Sequence, residues 1–553
     1  MDNQQIAQQL KEIGDLIELV LDEPFRARAY HNAARTLEAL DVSAEVLLDQ
    51  GELGTLPGFG KGMVAAVGEF LKAGRIEYLE ELRARVPPGL LDLRKVSGLG
   101  PKKIRQLHRE LGIDSIGRLK DVIADGRIEQ VSGFGARSVE RIKAAIAEVE
   151  SFKGRWRMVR ARQVSEEIAA LLQGDLGNGE VAVTGPVRRS LETVDRLAWV
   201  VCGKLDWTRL ALRIGQLAEC RSVLVEGPQV HLQFSEGVPG EIHHAPSADF
   251  GRTVLTTTGP DAYVRMVLKR AAGKGRTEEE IVSAAGLPFL PPEGRDTEAF
   301  WTAGMPEPLL TSAYLRGVLH CHTDYSDGHA TLTEMAEAAQ GRGLSYLGVC
   351  DHSQSAAYAG GLSPQRVQKQ HEEIDRLNAE YAGAFRIFKG IESDIRPDGS
   401  LDYPDLLLKE FEFVVASVHS LLDMDEQTAT ERTCRALAHP STTILGHPTG
   451  RLLLTRKGFP LDWDRVFRAA ANHSVAIELN ANPRRLDLDW RLLGRCFEVG
   501  ISTCVNPDAH RTSGIDDMRY GVAVARKAGT TPDRVLNCME VDDLDRYFKD
   551  RHP

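Results

Sequence analysis

Histidine and carboxylate side chains recur directly after short apolar segments in the last part of the chain. The pair His320 and His322 follows Val318-Leu319. Residues two apart in a strand point to the same side, so both imidazoles can reach one metal ion. The predicted metal ligands are His320, His322, Asp327, His352, Glu392, His419, His447, Asp508 and His510.

Imidazole and carboxylate ligands together suit zinc, manganese or iron, and nine of them are too many for one ion. We therefore predict two or three divalent ions. Such ions lower the pKa of a bound water to about 7, so that hydroxide is the nucleophile and a second ion holds a phosphate ester. No side chain is assigned as the nucleophile. Asp351 and Asn506 are predicted to orient the imidazoles from behind.

The ligands need elements that bring them together. Short apolar strands alternate with amphipathic helices from Arg316 onward, which predicts β/α units around an inner parallel sheet. Catalytic groups of β/α barrels lie at the C-terminal ends of the strands. A single histidine at a strand end is more often structural, but recurrence at one topological position favours a site. The predicted strands are Tyr346–Cys350, Phe413–Ser417, Thr443–Gly446, Ala476–Leu479 and Ile501–Val505.

Three Gly-x-Gly segments, each followed by a helical pattern, lie in residues 1–150. Glycines permit a tight turn whose backbone N–H groups face a DNA phosphate, and the following helix N-terminus adds favourable partial charge. A single such segment is usually only a turn, whereas three copies favour DNA binding. The predicted DNA-binding residues are Gly58, Gly60, Lys61, Gly98, Gly100, Lys102, Lys103, Gly133, Gly135 and Arg137.

Length and composition limit the remaining possibilities. The chain has 553 residues, which predicts three to five domains, and its 27% charged and 42% hydrophobic residues are typical of globular proteins. No apolar run approaches the roughly 20 residues of a membrane helix. Eight scattered cysteines without a C-x-x-C pair predict reduced thiols and a cytoplasmic, nucleoid-associated location. The net charge of −11 counts mildly against a nucleic-acid binder, although backbone N–H groups need few charges to grip phosphates.

The ligand-bearing region resembles the polymerase-and-histidinol-phosphatase (PHP) family. That resemblance implies a distorted seven-stranded β/α barrel with a trinuclear metal site. Its motifs are His320-Cys-His322, Tyr325-Ser326-Asp327-Gly328, Asp351-His352-Ser353, Gly390-Ile391-Glu392, Ser417-Val418-His419-Ser420, Gly446-His447-Pro448-Thr449-Gly450-Arg451 and Asp508-Ala509-His510.

The order of elements along nearly the whole chain resembles a bacterial family X DNA polymerase with a C-terminal PHP domain. Phe25–Tyr30 matches the first helices of that family, and Leu287–Glu293 matches the end of its thumb. The implied fold is multidomain: an α-helical helix-hairpin-helix region, an α+β palm with a helical thumb, and a distorted (β/α)7 barrel. The expected domains are an N-terminal hairpin domain at 1–85, fingers with two further hairpins at 86–150, a palm at 151–255, thumb and linker at 256–311, and the PHP domain at 312–553.

The palm departs from the family pattern. The family reads Gly-Ser-x-Arg-Arg and then Glu-Thr-x-Gly-Asp-hydrophobic-Asp, whereas this chain has Pro186 at the serine and Arg196 and Ala198 at the two metal-binding aspartates. His231 stands where we expect the third aspartate, and Pro260 replaces a second serine. Nucleotidyl transfer needs divalent ions between carboxylates and triphosphate, so we predict weak or absent polymerase activity.

Other residues of the palm still fit polymerase activity. The resemblance implies nucleotide binding at Gly185, Arg188 and Arg189, with magnesium or manganese and a dNTP as ligands. Manganese recruitment by the carboxylates of Glu192, Asp195 or Asp206 stays open. The lyase lysine of the family is replaced by Ala66, and Lys72 is not assigned that role.

Four hypotheses follow. The preferred one is a DNA-repair enzyme whose PHP domain is a metal-dependent 3′–5′ exonuclease or phosphoesterase acting on gapped or damaged duplex and 3′ ends. The alternative is an active, manganese-dependent gap-filling polymerase with a PHP proofreading nuclease. A DNA-binding scaffold leaves nine metal-ligating side chains without a purpose, and a small-molecule phosphatase leaves the N-terminal half without one.

Overall fold

A computed structural model of the chain describes residues 3–40, 42–227, 229–271 and 276–551. The chain divides into two compact units, Met1–Phe152 and Lys153–Pro553. Within the described residues no helix is both long enough and apolar enough to cross a membrane.

The first unit is helical, as the sequence pattern predicts. Its core consists of apolar side chains at helical spacing, such as the fully buried Ile6, Leu10, Ile13 and Ile17 of the first helix. The helices are α1 Asn3–Val20, α2 Pro24–Ala39, α3 Ala44–Asp49, α4 Lys61–Ala73, α5 Glu77–Ala84, α6 Gly89–Leu93, α7 Pro101–Leu111, α8 Ile116–Ala124 and α9 Ala136–Phe152.

The second unit begins with a mixed sheet of the order β2-β4-β7-β6-β5, in which β4 and β7 are parallel and the other pairs are antiparallel. Trp199 and Phe234 pack in the core on one face of this sheet. The elements are β1 Trp156–Arg157, α10 Met158–Leu176, β2 Glu180–Thr184, α11 Gly185–Arg188, β3 Thr193–Val194, β4 Leu197–Cys202, α12 Trp207–Gly215, β5 Cys220–Glu226, β6 Gln229–Phe234 and β7 Pro239–His244.

The Pro-rich segment after this sheet is packed, which corrects the prediction of a linker. Arg295 is fully buried and donates to Glu278, and Thr297 donates to the carbonyl oxygen of Lys527 across 3.0 Å. These buried side chains hold the segment in place although it contains Pro288, Pro291, Pro292, Pro306 and Pro308. Its helices are α13 Phe250–Thr258, α14 Asp261–Arg270, α15 Glu278–Ala284 and α16 Phe300–Ala303.

The rest of the unit is a seven-stranded parallel sheet with strands in chain order, β8 to β14. A parallel bridge between Cys321 and Ala509 joins the first and last strands beyond their ends, so the sheet forms a nearly closed barrel. The elements are β8 Gly317–Val318, α17 Leu332–Gly341, β9 Tyr346–Val349, α18 Pro364–Tyr381, β10 Arg386–Asp394, α19 Asp405–Leu408, β11 Phe413–Ser417, α20 Glu426–Leu437, β12 Ile444–Leu445, α21 Trp463–Asn472, β13 Ala476–Asn480, α22 Trp490–Glu498, β14 Thr503–Asn506, α23 Met518–Lys527 and α24 Val541–Arg551.

An apolar cluster fills the part of the barrel near the strand starts. Phe413 lies against Phe548 of α24, with ring centroids 5.1 Å apart, and a Cβ on Gly390 would meet the Phe413 ring at 2.3 Å. The tight packing excludes polar groups from this region. The polar side chains of the barrel interior therefore gather where the strands end.

Candidate metal centre and nucleic-acid-binding hairpins

The nine predicted ligands lie after the C-terminal ends of barrel strands or in the loops that follow them. Glu392 is an exception, because it lies within strand β10, which continues to Asp394. His320, His322, Glu392 and His447 are at most 2% exposed. The structure thus brings together side chains that are far apart in the sequence.

Glu392 is the hub of the cluster. Its two carboxylate oxygens face nitrogen atoms of five imidazoles at 2.9–3.6 Å. Strand β10 lies near the middle of the barrel sheet, which explains why this side chain reaches so many partners. The five are His320, His322, His352, His419 and His447.

Three overlapping groups have ligand atoms within 4.8 Å of one another, close enough to hold one ion each. His322 belongs to two groups and His352 to two, so the three positions would share ligands as a multinuclear cluster does. The groups are His322 with Asp327, His352 and His510; His320 with His322 and Asp508; and His352 with Glu392 and His419. His447 adds its Nε2 atom 2.9 Å from Glu392 Oε1.

The donor atoms themselves fit divalent cations. Both oxygens of Glu392, Nε2 of His320 and Nδ1 of His322, His352 and His447 are buried without a hydrogen-bond partner among the described residues. Buried polar atoms are normally hydrogen-bonded, and an unsatisfied one costs about 1–3 kcal/mol. Mixed imidazole and carboxylate donors are those that zinc, manganese and iron prefer.

Two carboxylates that the sequence analysis missed orient the imidazoles. Glu478 Oε1 lies 2.7 Å from Nδ1 of His320, and Asp394 Oδ1 lies 2.6 Å from Nδ1 of His419. Each leaves Nε2 of its histidine facing the cluster, which is how outer carboxylates fix the tautomer of a ligand. Both lie inside strands beside or near ligands, and only the strand register shows which histidine each one reaches.

Among the described residues, the hydrogen bonds of Asp351 and Asn506 go to groups other than imidazoles, so neither orients a histidine directly. Asp351 accepts hydrogen bonds from Thr323, Ser326 and Gln370 and so fixes the loop that carries Asp327. The Asn506 amide donates to Glu478 Oε1 across 3.1 Å and acts on His320 only through that carboxylate.

Backbone strain coincides with two of the ligands. His447 has φ of 21° and Asp508 has φ of 52°, in a region that non-glycine residues rarely adopt. Such conformations cost about 1–3 kcal/mol and persist where the surroundings fix them, often at functional sites. Here Glu478 accepts the backbone N–H of His447 across 2.8 Å.

Arg485 is the cation next to the cluster. Its Nε atom lies 3.5 Å from Asp508 Oδ2, and its side chain is 20% exposed. Burial and the nearby Arg485 guanidinium lower the pKa of His447, which favours the neutral imidazole that a metal ion needs.

The remaining charges of the cluster divide into protonated and neutral imidazoles. Burial lowers the pKa of His419, but Glu392 and Asp394 outweigh burial and raise that pKa to about 10. Burial also lowers the pKa of His510, and there Asp327 and Asp508 outweigh it and raise the pKa to about 9. Burial, His510 and His352 lower the pKa of His322 to about 3. The imidazoles outweigh burial at Glu392 and hold its pKa well below its usual value.

The three Gly-x-Gly segments of the first unit share one turn. Their first glycines, Gly58, Gly98 and Gly133, have φ between 85° and 88°. The residue between the glycines is buried and donates its backbone N–H to the carbonyl three positions earlier, at 3.0–3.1 Å. The second glycines are exposed, and a Cβ added to Gly60, Gly100 or Gly135 would meet no atom within 4 Å.

Helices α4 and α7 begin directly after these turns without a side-chain cap. Their first N–H groups have no partner inside the helix, which makes such a helix N-terminus suitable for a phosphate. Lys61, Lys102 and Arg137 are exposed beside the three turns. Lys103 lies at the same turn as Gly98, and its ammonium donates to the Gly98 carbonyl across 3.1 Å and lies 5.4 Å from the centre of the Phe134 ring.

The palm arginines named in the sequence analysis pair with carboxylates of the protein. Arg188 lies 2.5 Å from Glu278, and Arg189 lies 3.1 Å from Asp296. Gly185 starts α11 with φ of 71°. Both arginines are thus ion-paired within the second unit, although Glu278 also pairs with Arg295 and Asp296 with Lys527.

The position of the third palm carboxylate needs correction. The strand beside β4 is β7, not β6, and Glu241 of β7 lies opposite both Ala198 and His231. Glu241 is therefore the carboxylate at that place, which the sequence analysis missed because strand order does not follow chain order. Asp195 is half-exposed and lies 3.9 Å from Arg155 and 3.7 Å from Arg196.

Three protein families match separate parts of the chain. Residues 1–76 match the helix-hairpin-helix domain, residues 90–148 match the SAM-like helix-hairpin-helix tandem, and residues 319–482 match the PHP domain.

Individual relatives cover either the whole chain or its last part. The chain is 33% identical to the DNA polymerase/3′-5′ exonuclease PolX of Bacillus subtilis, over 99% of this chain and 100% of that protein. Over 42% of this chain it is 29% identical to a "probable phosphatase" of Thermoanaerobacter sp. and 32% identical to one of Acetivibrio thermocellus, covering 94% and 93% of those proteins.

Gly100→Ala tests the openness of the hairpins. The variant should fold, because the new Cβ meets no atom and loss of a glycine N-cap costs at most about 1 kcal/mol, yet it should obstruct a phosphate. We expect DNA affinity to fall about 10-fold, the equivalent of one hydrogen bond to a charged group. Fluorescence anisotropy with a labelled gapped duplex measures this, and Gly117→Ala in the equally open α8 is the matched control. Equal affinity of the two variants would contradict the assignment.

Metal binding should release protons. His419 and His510 have raised pKa values of about 10 and about 9, so they are protonated near neutral pH without metal, and ligating imidazoles must be neutral. The apparent metal affinity should therefore rise with pH until those pKa values are passed. Calorimetric titration of the metal-free protein with manganese in buffers of different ionisation enthalpy counts the protons, and His419→Gln should release fewer. Heats that do not depend on the buffer would refute this expectation.

Proposed function

Because the chain belongs to the family of bacterial PolX proteins, we propose that its barrel site is a metal-dependent 3′–5′ exonuclease that removes nucleotides from DNA ends. The observation that carries the proposal is the gathering of buried, unpartnered imidazole and carboxylate atoms around Glu392. Divalent cations in such a site supply an activated water and neutralise the charge that develops on a phosphodiester.

The protein's own side chains have distinct tasks in this proposal. The nine predicted ligands would hold two or three ions, and His322 and His352 each belong to two of the ligand groups. Glu478 and Asp394 fix the tautomers of His320 and His419. Arg485 lies beside Asp508 and would bind a non-bridging phosphate oxygen. Manganese, zinc and iron all suit these donors, and we propose manganese as the first metal to test.

The hairpins of the first unit provide the DNA affinity. Their open glycines and uncapped helix N-termini suit backbone phosphates of a gapped or damaged duplex, without sequence preference. We retain the five-part division at 85, 150, 255 and 311 as a proposal for the functional domains.

The palm has a structural task in this proposal. Glu192 accepts hydrogen bonds from Trp490 and Arg491 of the barrel region, and Lys527 donates to the Arg189 carbonyl. These contacts attach the remnants of the nucleotide-binding motif to the barrel. A weak polymerase remains the second candidate, because Asp195 and Glu241 are carboxylates on or beside β4, although Arg155 and Arg196 next to Asp195 repel cations.

Ligand removal tests the nuclease. His320→Ala and His419→Ala should abolish manganese-dependent shortening of 5′-labelled DNA. Each substitution removes a metal-ligating nitrogen and one of the imidazoles that pair with Glu392. Denaturing gel electrophoresis follows the products, and metal content and thermal unfolding show whether the variants are folded. His473→Ala, an exposed histidine of the same barrel, is the matched control and should retain activity. Undiminished shortening by the two ligand variants would refute the site.

Primer extension tests the palm. With manganese and all four dNTPs on a gapped duplex, we expect little or no extension, since no pair of aspartates holds the two ions. The nuclease-dead His320→Ala background prevents degradation from hiding synthesis. Robust extension that is lost on Asp195→Asn or Glu241→Gln would establish the polymerase instead.

A further inference from the structure

Tyr358 lies at the edge of the metal cluster without a role in it. Tyr358 is 71% exposed, more than any other Phe, Tyr or Trp residue that the structure describes in the second unit. Yet its ring centroid lies only 6.2 Å from that of His352 and 6.4 Å from that of His419. A large apolar ring is thus presented to solvent beside two metal ligands.

The loop that carries Tyr358 is firmly held. Ala356 and Ala359 on either side are buried, and the backbone N–H groups of Ala359 and Gly361 both donate to the Ala356 carbonyl. Ser355 binds Asp402 through its N–H at 2.6 Å and Asp394 through its hydroxyl at 3.1 Å. Because Asp394 also holds His419, the position of the ring is coupled to that of the metal ligands. A loop whose backbone is already ordered in this way loses little entropy when a ligand contacts its side chains.

We propose that Tyr358 is a substrate-binding residue that stacks on the base of the terminal nucleotide while the adjacent phosphodiester lies in the metal cluster. Stacking on an aromatic ring tolerates every base, since each has a π face. A paired terminal base must first leave its partner and the adjacent base pair to reach the ring, which costs unpairing and unstacking free energy, whereas an unpaired base has no partner to leave. The site would therefore select frayed, mismatched or single-stranded ends.

A second exposed apolar residue near the predicted metal ligands supports base binding at this place. Leu421 follows His419 by two residues, is 65% exposed, and has φ of 52°. A leucine in this backbone region is strained, and strain of this kind concentrates at ligand-binding positions. Neither Tyr358 nor Leu421 is needed to hold metal, so both are available to a base.

The inference rests on the proposed nuclease function and predicts a particular substrate dependence. The full chain with manganese is given two 5′-labelled single strands of one sequence, one ending in a normal 3′ nucleotide and one in an abasic tetrahydrofuran residue. Tyr358→Ala should raise KM for the normal end about 5- to 150-fold, the range for loss of one base stack, with little change in kcat. Its KM for the abasic end should not change.

Matched variants separate stacking from structural damage. Tyr358→Phe keeps the ring and should behave as the unaltered protein, and Tyr314→Ala removes another exposed tyrosine of the same unit and should have no effect. An equal rise in KM for both ends, or no rise for either, would refute the stacking role but not the proposed nuclease function. If the unaltered protein shortens neither strand, the proposed function itself fails and the inference with it.

Discussion

The buried carboxylate of Glu392 is the constraint on which the barrel depends. An ionised carboxylate that is 1% exposed is strongly destabilised unless positive charge surrounds it. Five imidazoles surround this carboxylate, and two of them, His320 and His419, have raised pKa values and supply positive charge because Glu478 and Asp394 accept from their Nδ1 atoms. The same arrangement that compensates the charge creates a set of buried donor atoms suited to divalent cations, so stability and function have one origin.

The two ends of the barrel meet opposite requirements. At the strand starts, rings such as Phe413 and Phe548 pack closely and fix the spacing of the strands. At the strand ends, strained backbone at His447 and Asp508 is tolerated because that spacing is already fixed. A rigid apolar end therefore allows precise placement of ligands at the polar end, and Tyr358 extends the polar rim with an aromatic ring.

The Arg-Arg and Glu-Thr segments near the five-stranded sheet make contacts with the rest of the second unit. Arg188 and Arg189 compensate Glu278 and Asp296, and Glu192 accepts hydrogen bonds from the barrel region. A guanidinium group whose N–H groups already donate to carboxylates of the protein has fewer donors left for a triphosphate. The retained Arg-Arg and Glu-Thr sequence is thus consistent with a frame for the barrel.

The sequence alone determined the helical hairpins, the β/α alternation and the family, because each depends on local periodicity or on residue types at short spacing. It also named the nine side chains that the structure gathers into the cluster around Glu392, since they lie at or after the ends of apolar strands. Only the tertiary structure decided that Glu478 and Asp394, rather than Asp351, face the imidazoles, and that Glu241 rather than His231 lies beside Ala198. Those outcomes depend on strand order and register, which are set by packing between residues far apart in the chain.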